Sequence, residues 1–99
     1  MTFAAIIDYG NKDKIMEIRP AHRIYLAELK ASGKLVVAGP FRDFSGGLIV
    51  YDAADEAGVE ALIKADPFYA GGVFVTWSIR PWSPVMTNRE LLPEAPPPA

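Results

Sequence analysis

Cysteine is absent from this 99-residue sequence, which excludes disulfides and thiolate metal sites and removes the usual covalent staple of a small domain. Histidine occurs once, at His22, and no grouping of His, Cys and carboxylates has metal-ligand spacing. No basic run exists either: ten Lys and Arg are interspersed with twelve Asp and Glu, for a net charge of −2. Nothing in that pattern neutralises several phosphates in a row, so nucleic acid is not an expected partner. Long apolar runs are also missing. The stretch Phe3 to Ile7 is far too short for a signal-peptide core or a membrane span, and MTFAAIIDYG carries no basic leader. A cytoplasmic protein with no membrane partner is the expectation. Phosphate-loop, dinucleotide and GxSxG motifs are not found, so no cofactor is implied.

What is present is an apolar fraction of 51%, typical of a folded chain and enough for one domain. Phe3 to Asp8 reads as a strand ending in the turn at Tyr9, Gly10 and Asn11. The segment KDKIMEI is ambiguous. Pro20 suits a first helical position, and His22, Tyr25, Leu26 and Leu29 follow at helical spacing until Ser32 and Gly33 close the helix. Leu35 to Ala38 and Leu48 to Tyr51 are the second and third strands, joined by a loop, GPFRDFSGG, that is a candidate pocket rim. Asp52 and Asp55 offer caps to a second helix carrying Val59, Leu62 and Ile63, which ends at Asp66 and Pro67. Val73 to Ile79 is the fourth strand. Residues 1–82 thus form the domain, and residues 83–99 a proline-rich C-terminal tail expected to be extended and mobile unless a neighbour captures it.

The order βαββαβ specifies an α+β, ferredoxin-like fold: a four-stranded antiparallel sheet with two helices on one face. FAAII, LVVA, LIVY and VFV are apolar at successive positions, the pattern of strands buried on both sides. The face away from the helices therefore needs a cover, and a homodimer packed sheet on sheet is the simplest one.

His22 is the residue most suited to chemistry. An inward imidazole needs a hydrogen-bond partner, and a carboxylate would fix its tautomer for proton transfer. Asp66 is the acid placed nearest. The plainer alternative is a satisfied core histidine and a turn-capping aspartate. Arg19 is either a bidentate carboxylate binder or a solvated charge. Gly39 and Pro40, and the later Ser45-Gly46-Gly47, either admit a ligand to the backbone or only make the turn. Phe41, Phe44, Phe68, Tyr69, Phe74 and Trp77 supply aromatic lining for a pocket, a core or an interface.

The stretches RPAH (Arg19 to His22), AGP (Ala38 to Pro40), DPF (Asp66 to Phe68) and Ala70-Gly71-Gly72-Val73 resemble the signature of the YCII-related (YciI-like) proteins, over Phe3 to about Trp82. The resemblance implies a dimeric α+β barrel subunit whose active-site pair falls on His22 and Asp66. The FRDFSGG loop is shorter than in many relatives, and the tail after Trp82 lies outside the common pattern. Three functions fit. One is a small enzyme with His22 as general acid or base, performing proton abstraction, isomerisation or elimination on a small cyclic or aromatic organic acid held among Phe41, Phe68 and Trp77. Another is a non-catalytic metabolite-binding or assembly module. The third is a cofactor-free oxygenase.

Overall fold

Strand β1 (Thr2–Tyr9) alternates between buried Phe3, Ala5 and Ile7 and outward-facing Thr2, Ala4, Ile6 and Asp8, the period-two pattern of a strand with one face against a core. In the computed structural model, which describes residues 1–95, β1 lies between β3 (Gly46–Asp52) and β4 (Phe74–Pro81), and β2 (Leu35–Pro40) extends the sheet beyond β3. All three pairings are antiparallel, in the order β2-β3-β1-β4. Helices α1 (Ile15–Ala31) and α2 (Glu56–Ala65) and the single turn α3 (Pro67–Ala70) complete the chain up to β4. Their residues Ile15, Leu29, Val59, Ile63 and Phe68 share one buried cluster with Phe3, Ala5, Ile7, Ile49 and Tyr51 of the sheet. This is the ferredoxin-like α+β fold expected from the order of elements.

Helix α1 starts earlier than Pro20 suggests. The ambiguous KDK segment is a 3₁₀ turn (Lys12–Lys14) that runs directly into Ile15, and Pro20 sits inside the helix. Burial of Ile15 and packing of Ile18 against the core outweigh the one backbone hydrogen bond that proline cannot make. His22 therefore occupies the middle of a 17-residue helix rather than its first turn. The helix ends as expected: Gly33 has φ +77°, Gly33 N–H donates to Lys30 O and Lys34 N–H to Leu29 O, the paired bonds of a Schellman stop. Helix α2 is capped by Asp55, whose carboxylate accepts from Gly58 N–H at 2.8 Å.

The outer face of the sheet differs from expectation. It carries Ala4, Ile6, Val37, Leu48 and Val50 across β1, β2 and β3, but Thr76, Ser78 and Arg80 along β4, with Thr76 Oγ1 donating to Asp8 at 2.7 Å. Consecutive apolar residues in β2 and β4 arise in part from irregular pairing. Val36 falls between the Leu35–Tyr51 and Val37–Val50 pairs, Val75 between Phe74 and Thr76, and each is about half exposed. Proline is tolerated at the end of β4 because that strand is an edge.

The glycines that open β3 serve the sheet. A Cβ at Gly46 would lie 2.2 Å from the Ile7 carbonyl oxygen, and one at Gly47 would meet the Tyr9 hydroxyl and the Gly39 carbonyl. Because a backbone carbonyl cannot step aside, Gly46→Ala is expected to destabilise the protein by about 1–3 kcal/mol, the range of overpacked sites. A urea unfolding midpoint unchanged from wild type would contradict that reading of the β1–β3 contact.

Candidate active site

The residue before a proline is driven to extended backbone, so Asp66 (φ −70°, ψ 133°) ends α2 and starts α3. In that position its carboxylate caps α3, accepting from Phe68 N–H at 2.9 Å. The same carboxylate receives the imidazole of α1: His22 Nδ1 lies 2.8 Å from each Asp66 oxygen. Both residues are buried, Asp66 at 1% exposure and His22 at 8%. Tyr25 reinforces the arrangement by donating its hydroxyl to Leu62 O at 2.7 Å, which ties α1 to α2.

Phe68 contributes its ring as well as its backbone. It stacks on the imidazole with centroids 3.9 Å apart and planes 11° from parallel, while Phe74 meets the imidazole edge-on at 5.9 Å. With a carboxylate on Nδ1 and aromatic walls beside it, the neutral ring is held as the Nδ1–H tautomer. Nε2 is left as the nitrogen available to a ligand.

That ring borders a cavity of about 460 Å³, a size suited to a single small organic molecule. Arg19, Gly39, Pro40 and Phe68 line it together with His22. Phe41 does not. It lines an adjoining shallow groove with Val37, Leu48 and Leu92, and Trp77 packs edge-on against Tyr69. Phe44 takes the place expected of Phe41, because the β2–β3 loop turns back with Phe44 at φ +58° and its N–H bonded to Phe41 O. Tyr9, Ile15, Arg23 and Leu26 also line the cavity and were not singled out from sequence. Arg23 and Leu26 had a readable signal, lying four and seven residues beyond Arg19 on the same helical stripe. Pro93 and Ala95 of the C-terminal segment reach the cavity, and Glu94 pairs with Lys30 at the end of α1. The last four residues of the tail lie outside the described residues.

Three tyrosines surround the pair electrically. Burial, followed by the nearby Asp66 charge, pushes Tyr9 and Tyr25 up from 10.0 to about 12, and raises Tyr51 further. The Tyr51 hydroxyl is fully buried with no hydrogen-bond partner among the described residues. Tyr9, at the cavity wall, is therefore a neutral hydrogen-bonding hydroxyl through the physiological range.

A family model described as the YCII-related domain matches residues 1–83. The proteins named YciI from Escherichia coli O6:H1 and Shigella flexneri are each 29% identical to the chain over 83 residues, covering 74% of it and 85% of their own length. Among solved structures, 5-chloro-2-hydroxyhydroquinone dehydrochlorinase from Burkholderia phenoliruptrix, in complex with 2,5-dihydroxybenzoquinone, superimposes with a TM-score of 0.73 at 24% identity, over 84% of this chain and 94% of that one. An antibiotic biosynthesis monooxygenase shares the fold at a TM-score of 0.56 and 9% identity, over 87% and 100% of the two chains. Among the described residues no helix is long and apolar enough to cross a membrane.

The tyrosines set an alkaline limit. A phenol whose folded pKa is raised from 10.0 to about 12 stabilises the fold fully below pH 10, and that stability is lost as pH climbs through the 10-to-12 window. Urea midpoints measured from pH 9 to 12 should fall across that window, and Tyr9→Phe should flatten the fall. A midpoint independent of pH there would show that these hydroxyls ionise without cost to the fold.

Proposed function

This chain belongs to the YCII-related family, and from that premise we propose a small cofactor-independent enzyme in which His22, oriented by Asp66, performs general acid and base chemistry on a small cyclic or aromatic organic acid. The observation that carries the proposal is the buried His22–Asp66 contact at 2.8 Å on the wall of a ligand-sized cavity. A base so placed takes a proton at Nε2. The released electron pair moves into a neighbouring carbonyl or double bond, or expels a leaving group such as halide, and the imidazolium formed is stabilised by the Asp66 carboxylate. Proton abstraction, isomerisation and elimination all begin with this step. Phe68, Leu26 and Ile49 supply the apolar wall that keeps bulk water from the reacting atoms. The structural likeness to a dehydrochlorinase bound to a small dihydroxyquinone supports a one-ring substrate and favours elimination.

The same proposal includes a homodimer. Ala4, Ile6, Val37 and Leu48 form an apolar strip on the sheet face opposite the helices, with Ile6 41% exposed at its centre. A second copy related by two-fold symmetry would cover it, leaving the polar β4 residues Thr76, Ser78 and Arg80 at the rim. Sedimentation at micromolar concentration should show a dimer for the wild type and a monomer for Leu48→Asp. A wild-type monomer would remove this part of the proposal.

Turnover is tested with one-ring substrates that carry a leaving halide or an exchangeable proton beside a carbonyl, followed as halide release and as deuterium incorporation in D₂O. General base catalysis contributes typically about 10²- to 10⁴-fold, so His22→Ala should reduce any rate by at least about 10²-fold and Asp66→Asn by less. A rate untouched by His22→Ala, or ligand binding with no turnover across the panel, would instead favour a metabolite-binding module.

A further inference from the structure

Helix α1 contributes two arginines to the lining of one cavity. Arg19 and Arg23 are four residues apart, so they sit one helical turn from each other on the same face, and both line the space next to His22. Both are only partly exposed. No acid offsets them locally: the positions three and four residues to either side are Ile15, Met16, Pro20, His22, Leu26 and Ala27, with the two arginines as each other's remaining neighbours. Among the described residues the cavity lining contains no Asp or Glu. Among the described residues neither guanidinium takes part in any of the ion pairs, which join the Met1 amino group to Asp52, Lys14 to Glu17, Lys30 to Glu94, Lys64 to Glu60 and His22 to Asp66. Asp66, the nearest buried carboxylate, is occupied by His22 and Phe68 N–H.

Two like charges stacked on one helical turn repel, and holding them beside an apolar wall adds a desolvation cost. An anion in the cavity reverses both effects. Arginine is also the side chain best shaped for oxygen pairs, through two parallel N–H donors. Resting on the reading of the cavity as a substrate site, we infer that it selects a dianion: a one-ring acid whose two anionic oxygen groups are shared between Arg19 and Arg23, with the rest of the ring resting against Phe44 and Phe68. Arg23 is the specificity-determining residue, because it supplies the second charge. Tyr9, also part of the lining and neutral, is a donor for a further ring oxygen.

Isothermal titration with phthalate, benzoate and phenol tests this without requiring turnover. The three probes carry two, one and no negative charges on rings of similar size. Phthalate should bind at least about tenfold more tightly than benzoate, a gap of about 1.4 kcal/mol, and phenol should bind more weakly than either. Arg23→Gln should abolish the preference for phthalate over benzoate, Arg23→Lys should keep part of it, and Arg19→Gln should weaken both acids. His22→Ala should leave the order of affinities intact. If the order holds and no substrate turns over, the catalytic proposal fails while the dianion site stands. Equal affinity for benzoate and phthalate in the wild type, tight binding of phenol, or a preference for phthalate that survives Arg23→Gln would overturn the inference.

Discussion

The bond between the Asp66 carboxylate and His22 Nδ1 organises the functional half of this fold. One residue ends α2 with its backbone, and its carboxylate caps α3 and receives the imidazole of α1, so three elements meet at a single buried side chain. Removing the carboxylate would leave two buried donors, the His22 ring N–H and the Phe68 backbone N–H, without an acceptor. Each such orphan costs about 1–3 kcal/mol. The contact is therefore structural whatever chemistry it supports, and its geometry fixes which imidazole nitrogen faces outward.

Around that contact the protein separates two environments. One is the buried interior around Phe74 and the sheet residues, where burial first and the Asp66 charge second keep the phenols of Tyr25 and Tyr51 protonated. The other is the cavity, whose lining includes the two arginines of α1 and the left-handed Phe44 of the β2–β3 loop. A bulky residue in the left-handed region carries roughly 1–2 kcal/mol of backbone strain. Here that conformation brings the Phe44 side chain to the cavity and leaves Phe41 outside it.

The order of elements was legible because each has a strong local cause: apolar runs for the strands, Gly33 for the end of α1, Asp55 for the start of α2. Pro20 misdirected the start of α1, since a proline signals a first turn locally while the burial of Ile15 and Ile18 is decided by the sheet they meet. The outer face looked more apolar in sequence than it is, because Val36 and Val75 occupy irregular positions that break strict alternation. His22 and Asp66 were singled out as residue types and by the RPAH and DPF stretches, and the structure brings them together. Arg23 was not singled out, although its spacing from Arg19 is plain once the helix is drawn. Phe44 stood only among six candidate aromatics, since nothing about a phenylalanine announces a positive φ.

The most direct measurement is the ¹⁵N spectrum of the single imidazole, His22, recorded where the ring is neutral, in wild type and in Asp66→Ala. The wild type should show one protonated nitrogen, Nδ1, with Nε2 bare, and loss of the carboxylate should shift the ring toward the Nε2–H tautomer common in free imidazole side chains. A wild-type spectrum showing Nε2–H, or one unaltered by Asp66→Ala, would mean that Asp66 does not set the proton's position, and the proposed chemistry would lose its base.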